Sequence, residues 1–346
     1  MPILRLVQEP RRRRRRLITT LPELGQVLPV AVDAMGGDKA PTEILAGVRR
    51  AVDDGISVVL VGPADLEHDD DIPLIIASEL IGMEEEPGAA VRKKKDSTLV
   101  RAAEAVRDGK ASAMISAGNT GATMASALLR MGRIKGVKRP AIATPIPVPG
   151  STPTVLLDAG ANAEVQPEWL VQFAQMGSVY TRQRFHIPEP RVGLLSIGEE
   201  PGKGDSLRKE AFKLLSDASG INFIGNIEGC DIMSDTVDVA VTDGFTGNVT
   251  LKSLEGGMKA VIAALFEAFA AEEYKEHAEA LMPALLTLYT ALNPDTYGGA
   301  VLLGVDGVCV ISHGSSGATA MRNAIGVAAE MVEQHMVDEI RAAVAV

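Results

Sequence analysis

The chain has 346 residues, of which 46% are hydrophobic, 3% are aromatic and 23% are charged, and this length fits one large α/β unit or two interleaved ones. The scarcity of aromatic residues argues against an all-β sandwich, because Ala, Gly and Val suit helices packed on a sheet. Residues 1–29, with seven Arg and two Glu, contribute +5 to the net charge of −11, so the remainder carries −16, which argues against general nucleic-acid binding.

The chain begins with a basic segment, residues 1–29, that contains the arginine run Arg11 to Arg16. Adjacent like charges repel one another, and no periodic apolar pattern flanks them. We therefore predict a disordered arm, or a start codon assigned too early. A single catalytic α/β unit is predicted to follow over residues 30–346.

Apolar runs rich in β-branched residues then alternate with helical patterns, which is the order of repeated βαβ units. Pro41 and Pro167 each stand where a helix is predicted to begin. Right-handed crossovers predict a three-layer α/β/α fold with a mostly parallel sheet, whose strand-end loops lie together at one edge. The predicted strands are Val30 to Asp33, Ser57 to Val61, Ala113 to Ser116, Thr154 to Asp158, Val192 to Ile197, Val237 to Thr242 and Val308 to Ser312.

A long helical insert over residues 253–292 interrupts this alternation, and we expect it to protrude. Within it, Leu281, Leu285, Leu288 and Leu292 form an apolar stripe at helical spacing. Such a stripe is ordinarily buried in a core or a subunit interface, and contact with a membrane surface is the alternative. The pattern alone leaves both interpretations open.

Six predicted strands end in loops rich in small and polar residues. Small residues let the backbone approach an anion, and Asn, Ser and Thr can cap the next helix or donate hydrogen bonds to a ligand. Capping explains any single loop, but six together indicate a binding site. Lys203 fits a solvated loop lysine or a phosphate ligand, and Asp243 and Asn248 fit helix capping or orientation of a reacting group. The loops read VDAMGGDKAP, MISAGNTGA, LLDAGANAE, SIGEEPGKGD, VTDGFTGNV and ISHGSSGA.

The familiar nucleotide, metal and membrane signatures are missing from the sequence. GEEPGKGD lacks the spacing and the Ser or Thr of a Walker loop, and no strand is followed by G-x-G-x-x-G. Cys230 and Cys309 have no CxxC or His partner at metal-ligand spacing, so we expect no metal and no cofactor, and a reducing cytoplasm. No apolar window reaches the ~18 residues of a membrane span, and the segment after the arginine run is a poor signal peptide.

A series of motifs resembles that of the bacterial phosphate acyltransferases of phospholipid synthesis, the PlsX family. In chain order the motifs are VDAMGGDKAP, ELIGMEEEP with VRKKKDS, SAGNTGA, LLDAGAN with FAQMGSVY, IGEEPGKG, TDGFTGNV, YGGAVLLG and HGSSGA. The match runs from about Val30 to Ile325. Three features depart from the family pattern: residues 1–29 have no counterpart, GPADLEHDDDIPLIIASE is short by a helix-sized piece, and Ile76 replaces a His.

The resemblance implies that acyl-[acyl-carrier protein] and orthophosphate are converted to acyl phosphate and free carrier protein, with acyl-CoA as a second donor. It implies a cytoplasmic homodimer, peripherally associated with the membrane beside a downstream glycerol-phosphate acyltransferase, and a fold like phosphotransacetylase and the isocitrate dehydrogenase group. The implied catalytic residues are Lys203, Asp243, Asn248 and His313. The implied substrate- or phosphate-binding residues are Asp33, Gly36, Gly37, Asp38, Asn119, Thr120, Gly121, Asp158, Asn162, Gly204, Gly244, Phe245, Thr246, Gly247, Gly314, Ser315 and Ser316.

Attack of orthophosphate on a thioester requires a site that holds a dianion and stabilises a tetrahedral oxyanion. Helix N-termini at residues 119–121 and 246–248, together with Lys203, would supply the positive potential. Direct transfer needs no acyl-enzyme, and His313 fits phosphate binding, proton transfer or the ordering of its own turn. The alternatives are a short-chain phosphotransacetylase using acyl-CoA, an isocitrate-dehydrogenase-like oxidoreductase, and a non-catalytic scaffold at the membrane surface.

Overall fold

A computed structural model describes residues 28–345, which form one eleven-stranded sheet with helices on both faces. The strands are β1 (Val30–Asp33), β2 (Val58–Gly62), β3 (Leu74–Ile76), β4 (Ala113–Ser116), β5 (Ala141–Ile146), β6 (Thr154–Leu157), β7 (Arg191–Leu195), β8 (Asn222–Ile227), β9 (Val239–Val241), β10 (Ala300–Leu303) and β11 (Val308–Ile311). The α-helices are α1 (Thr42–Asp53), α2 (Pro87–Lys93), α3 (Thr98–Arg107), α4 (Thr120–Arg130), α5 (Pro167–Phe185), α6 (Ser206–Asp217), α7 (Gly244–Phe269), α8 (Lys275–Leu292), α9 (Ala318–Glu333) and α10 (Met336–Val344).

Two apolar clusters lie on opposite faces of the sheet, because successive strand residues point in opposite directions. On β1, Val30 and Val32 belong to one cluster and Ala31 belongs to the other. Helices α1, α5, α6, α9 and α10 cover the first face, and α2, α3 and α4 contribute to the second. The predicted three-layer α/β/α fold is confirmed.

All seven predicted strands are present, with ends that differ by at most two residues. Helix α5 begins at Pro167, and α1 begins at Thr42, directly after Pro41. Four short strands, β3, β5, β8 and β10, were not predicted. The predicted basic arm lies outside the described residues, except for Leu28 and Pro29.

The prediction that all strand-end loops lie at one edge is wrong. β1 to β4 and β11 run in one direction, whereas β6 to β9 run in the other. The reversal occurs at β5 and β10, two of the strands that were not predicted. Only residues 147–153 join β5 to β6 and only residues 304–307 join β10 to β11, and connections this short produce antiparallel pairs.

The register nevertheless brings the two sets of strand ends close together. The sheet order is β3-β2-β1-β4-β11-β10-β5-β6-β9-β7-β8, so only β10 and β5 separate β11 from β6. Ile311 pairs with Ala300, Val301 pairs with Ala143, and Ala143 pairs with Leu157. Three strand spacings of about 4.8 Å put the end of β11 roughly 14 Å from β6. Loops that leave opposite edges can therefore border one cleft.

The insert is a helical hairpin of α7 and α8, and most of its side chains are exposed. Helix α7 starts at Gly244, nine residues before the predicted start of the insert. Leu285, Leu288 and Leu292 of the predicted stripe line a small apolar cavity against α7. Leu281 and Leu288 are 48% and 44% exposed. Part of the stripe therefore packs within the hairpin itself.

Candidate active site

The end of β6 is organised around the Asp158 carboxylate, which is fully buried. Its Oδ1 accepts hydrogen bonds from the backbone amides of Ile142, Gly160 and Ala161 at 2.9–3.0 Å. Its Oδ2 accepts from the amide and the side chain of Asn162, both at 2.8 Å. Burial raises the pKa of Asp158, although these donors oppose the shift. Asp158 and Asn162 thus fix the loop after β6 against the start of β5.

Helix α7 begins directly against this loop, at a distance that only glycine permits. A Cβ at Gly247 would lie 1.9 Å from the carbonyl oxygen of Asp158, and a Cβ at Gly244 would lie 2.7 Å from that of Asn162. A side chain at either position would displace α7 from the end of β6. Asn248, the next residue, lines the cleft described below.

Asp243 is the N-cap of α7, which is one of the two roles that its sequence context left open. Its Oδ1 accepts from the Thr246 amide and its Oδ2 from the Thr246 hydroxyl, both at 2.8 Å. Arg208 of α6 forms a salt bridge with the same Oδ2. Burial alone would raise the pKa of Asp243, but the Thr246 hydrogen bonds and the Arg208 charge outweigh it, so the pKa is lowered.

Arg208 was not identified from the sequence. It lies on the buried face of α6 with Ala211 and Leu215, at positions three and seven residues apart. An arginine on an otherwise apolar helix face needs an acidic partner, and this was the available signal.

The ends of β1 and β4 form the second group of site residues. Asp33 is buried, accepts a hydrogen bond from Ser116 Oγ at 2.8 Å and accepts another from the Met35 amide at 3.1 Å. Burial raises the pKa of the Asp33 carboxyl. A Cβ at Gly36 would lie 2.6 Å from Ser116 Oγ, so the glycine lets the β1 loop close on the end of β4.

Asn119 caps α4, and both polar atoms of its side chain form hydrogen bonds within the protein. Its Oδ1 accepts from the Ala122 amide at 3.0 Å. Its Nδ2 donates to the carbonyl oxygens of Met83 at 2.9 Å and Glu85 at 3.2 Å. These contacts favour a capping role for Asn119, whereas Thr120, the first residue of α4, lines the cleft.

The loop after β11 carries His313 on an exposed turn. The Ser315 amide donates to His313 Nδ1 at 3.2 Å, and the Ser315 hydroxyl lies 2.8 Å from the same atom. An Nδ1 that accepts an amide proton leaves the proton of the neutral ring on Nε2. Ser312 and Ser316 are buried beneath this turn, with their hydroxyl oxygens 2.8 Å apart.

Both groups of strand ends border one cleft of about 400 Å³. Four predicted site residues line it: Thr120 from α4, Asn248 from α7, and His313 and Ser315 from the loop after β11. Thr144 and Pro145 of β5 lie between the two groups, as the register requires. The structure therefore brings together residues that are far apart in the sequence and follow strands of opposite direction.

Two lysines of the cleft, Lys252 and Lys259, were not predicted. They lie 4 and 11 residues after Asn248, so all three occupy one face of α7. Lys252 forms a salt bridge with Glu255 at 2.9 Å. The helical spacing was the signal for this face, but the predicted insert began at residue 253 and separated Lys252 from the rest of its helix.

The structure does not bring every predicted residue to the cleft lining. Lys203 is exposed on the loop between β7 and α6, and it does not line the cleft. Phe245 is 67% exposed, near the start of α7. The other predicted residues that lie outside the lining are Asp33, Gly36, Gly37, Asp38, Asn119, Gly121, Asp158, Asn162, Gly204, Asp243, Gly244, Thr246, Gly247, Gly314 and Ser316.

Neither cysteine provides a nucleophile for this cleft. Cys309 is buried in β11, and burial raises the pKa of its thiol to about 12. Cys230 is exposed and does not line the cleft. Within residues 28–345, no group of three His, Cys, Asp or Glu side chains is arranged to hold a metal ion.

Sequence comparison finds relatives along nearly the whole chain. The profile of a family described as fatty acid synthesis protein matches residues 28–339. A phosphate acyltransferase from Pelotomaculum thermopropionicum is 46% identical over 331 residues, covering 92% of this chain and 95% of that protein. A phosphate acyltransferase from a Geobacillus species is 43% identical over 325 residues, covering 92% and 98%.

Solved structures with the same fold include two acyl-transferring enzymes. A phosphotransacetylase from Streptococcus pyogenes superposes with a TM-score of 0.59 at 18% identity, covering 90% of this chain and 95% of that one. A branched-chain phosphotransacylase from Enterococcus faecalis superposes with a TM-score of 0.58 at 16% identity, covering 88% and 99%. At these identities the likeness concerns the fold alone, and it confirms the predicted phosphotransacetylase-like architecture.

Proposed function

This chain belongs to the fatty acid synthesis protein family, whose curated relatives here are phosphate acyltransferases, and we propose that it transfers an acyl chain from acyl-carrier protein to orthophosphate. The observation that carries this proposal is the cleft, in which helix N-termini and lysines meet an apolar groove. The products are acyl phosphate and the free thiol of the carrier. Acyl-CoA is a second donor, because it presents the same thioester.

Positive potential at the strand-end side of the cleft supports phosphate binding. Helices α4 and α7 both begin there, with Thr120 as the first residue of α4 and Asn248 as the fifth of α7, so both lie near the ends where the helix dipoles favour an anion. Lys259 adds positive charge along the α7 wall, whereas Lys252 is paired with Glu255, which also lines the cleft. We assign Lys203 to phosphate as well, from its loop between β7 and α6.

The proposed chemistry is direct attack of phosphate on the thioester. A phosphate oxygen forms a bond to the carbonyl carbon, the carbon–sulfur bond breaks, and the proton of hydrogen phosphate passes to the departing thiolate. The Asn248 side chain stabilises the oxyanion of the tetrahedral intermediate, while Asp243 fixes the helix turn that leads to Asn248. His313, whose Nδ1 is occupied by Ser315, uses Nε2 to bind phosphate or to move this proton.

An apolar groove between α7 and α8 provides a place for the acyl chain. Ile262, Tyr289 and Leu292 line both the main cleft and the small apolar cavity of about 20 Å³ inside the hairpin. The small cavity has room for about one water-sized group, so the acyl chain would lie mainly in the cleft itself, beside Leu251, Met258 and Ile262. A chain of several methylene groups would bury apolar surface there, at about 0.8 kcal/mol per methylene group.

This groove favours a long-chain donor over the short-chain phosphotransacetylase alternative. An acetyl group would leave the apolar wall of the cleft, which includes Met258, Ile262 and Leu292, largely unfilled. No observation favours the alternative of a non-catalytic scaffold.

We assign two further surfaces to partners. Phe245 and Val249, four residues apart on one side of α7, are 67% and 52% exposed, and this side is the proposed homodimer contact. The exposed edge of α8 around Leu286, which is 50% exposed, is the proposed peripheral contact with the membrane. Such attachment would place the product near a downstream glycerol-phosphate acyltransferase.

The turn of the hairpin is a poor membrane contact on electrostatic grounds. Residues 267–279 contain five Glu and one Lys, and negative charge is repelled by anionic lipid. The hairpin would therefore contact the bilayer with the long side of α8 and not with its turn. None of the helices within residues 28–345 combines the length and the apolar character that crossing a membrane requires.

A thiol-release assay tests the proposed reaction. Purified protein is mixed with acyl-[acyl-carrier protein] or acyl-CoA, and free thiol is measured with and without orthophosphate. We expect phosphate-dependent release with a long-chain donor and little release with acetyl-CoA. Faster release with acetyl-CoA supports the short-chain alternative, and no release with any donor supports the scaffold.

A further inference from the structure

Arg208 connects the start of α6 to the start of α7, and it is one of the few buried charged side chains in the described part of the chain, at 9% exposure. Its Nη2 donates to the hydroxyls of Thr242 at 3.1 Å and Thr246 at 3.0 Å, and it forms the salt bridge with Asp243 Oδ2. Its Nη1 donates to Asp205 Oδ2 at 3.0 Å. A single guanidinium therefore binds the N-caps of two helices.

These two helix caps lie next to residues that are proposed to take part in the reaction. Asp205 caps α6 through the Arg208 amide at 2.9 Å and ends the loop that carries Lys203. Asp243 caps α7, the helix that carries Asn248 into the cleft. Without the guanidinium, two carboxylates and two hydroxyls would face one another with no cation between them.

The charged side chains near Asp243 come from the start of α6 and the end of β6. Arg208 reaches it from α6, and Asp205 shares that guanidinium. From β6, Asp158 is the nearby acid, but its carboxylate is directed to backbone amides and to Asn162. Arg208 is thus the cation that compensates Asp243.

We propose that Arg208 is a positioning residue for the acyl transfer. It sets the Asp243 carboxylate and the first turn of α7, and it holds the Lys203 loop in register with that turn. This inference rests on the proposed role of Asp243 and Asn248 in the reaction. Arg208 itself does not line the cleft, so its effect on turnover passes through Asp243.

Arg208 and Asp243 follow β7 and β9 in the chain, and a matched control salt bridge lies at the opposite ends of these two strands. Arg191, the first residue of β7, forms a bidentate salt bridge with Asp238, which precedes β9, and both hydrogen bonds measure 2.9 Å. The carboxylate side chains of Asp238 and Asp243 are 6% and 7% exposed. Arg191→Gln therefore removes a comparable salt bridge from the same pair of strands, away from the cleft.

A double-mutant cycle in the full-length protein tests the inference. The variants are Arg208→Gln, Asp243→Asn, their combination, and Arg191→Gln in both the wild-type and the Asp243→Asn backgrounds. Turnover is measured by phosphate-dependent thiol release, and melting temperature by circular dichroism. We expect Arg208→Gln to lower kcat by about 10-fold to 100-fold with little change in KM for the acyl donor. In the Asp243→Asn background, the same change should have almost no further effect on kcat.

The control and a conservative variant separate positioning from folding. Arg191→Gln should lower the melting temperature but leave kcat within about twofold in both backgrounds. Arg208→Lys keeps the charge but not the fork that reaches several acceptors, so it should preserve the fold and recover only part of kcat. If the losses of kcat for Arg208→Gln and Asp243→Asn add in the double variant, the positioning role of Arg208 is wrong, while the proposed role of Asp243 in the reaction stands. Normal turnover of Asp243→Asn would refute the proposed role of Asp243, and the inference with it.

Discussion

Gly247 of α7 lies so close to Asp158 at the end of β6 that a Cβ at residue 247 would be 1.9 Å from the Asp158 carbonyl oxygen. The contact joins the helix that carries Asn248 to a strand end whose carboxylate is held by backbone amides. A backbone-to-backbone contact of this kind has no flexible side chain that could move away. The position of the cleft wall therefore depends on a glycine.

Gly247→Ala should displace the first turns of α7 and abolish turnover, with a loss of several degrees in melting temperature. The added methyl group has to push α7 from β6, which costs more than the helix propensity that alanine gains, about 1 kcal/mol. Gly256→Ala is the control, because a Cβ at residue 256 of the same helix meets nothing within 4 Å. That variant should be active and equally or more stable, and equal behaviour of the two variants would contradict the close-contact explanation.

Asn248→Ala should reduce kcat much more than it reduces stability. In the structure Asn248 is exposed in the cleft, and the helix is capped by Asp243 instead, so folding loses little. Removing a group that stabilises an oxyanion typically lowers kcat by about 100-fold. Ser253→Ala, on the same helix but outside the cleft, is the control for turnover and melting. A parallel loss of activity and melting temperature in Asn248→Ala would identify a structural role.

Lys203→Ala should lower the phosphate-dependent rate by about 100-fold with the fold intact, since a cation beside phosphate is worth about 3 kcal/mol in the transition state. Lys213→Ala, an exposed lysine of α6 that pairs with Glu210, controls for lost surface charge. If Lys203→Ala is as active as Lys213→Ala, Lys203 is a solvated loop residue. The same assay on Lys252→Ala then shows whether α7 supplies the charge.

The pKa values of two buried carboxyls predict opposite effects of pH on stability. The pKa of Asp33 is raised from its ordinary 3.8, so protonation of Asp33 favours the folded state. The stability that Asp33 contributes therefore falls as pH rises from 3.8 through the raised pKa. The pKa of Asp243 is lowered from 3.8, so its contribution is present above 3.8 and is lost as pH falls toward the lowered value. Relative to wild type, Asp33→Asn should therefore gain stability with rising pH.

Asp243→Asn should show the reverse trend, with a deficit that is largest above its ordinary pKa and shrinks on acidification. Melting temperatures of the two variants and the wild type between about pH 3 and pH 7 check both signs. If the melting temperatures of the variants and the wild type change in parallel across this range, protonation of neither carboxyl is coupled to folding.

The exposed edge of α8 should control membrane binding independently of turnover. Leu286→Glu places a charge on a side chain that is 50% exposed, so the hairpin should persist while liposome binding weakens. Leu285→Glu is the contrasting variant, because Leu285 is half-buried and lines the cavity against α7, so the charge should disrupt the hairpin. Liposome flotation, sedimentation and thiol release are measured on both. Normal flotation of Leu286→Glu would exclude the α8 edge as the membrane contact.

The strands and helix caps were predictable from the sequence because their signals are local. Apolar β-branched runs identified β1, β4 and β6 within a residue or two. Asn119 and Asp243 stand in loops for which capping was one of the roles left open, and they cap α4 and α7. Burial of alternate residues and hydrogen bonds to nearby amides act over a few positions, so they leave a pattern in the chain. The motif series also indicated the family, which the comparisons confirm.

The arrangement of the site was decided by tertiary structure. Whether a strand end faces the cleft depends on strand direction, and that depends on β5 and β10, two strands of six and four residues whose pairing no local pattern specifies. Arg208 meets Asp243 across 35 residues of sequence only because β7 and β9 are neighbours in the sheet. Lys252 enters the cleft because Gly247 places α7 against Asp158. Contacts between distant segments obtain their energy from the assembled sheet, and for that reason only the folded chain reveals them.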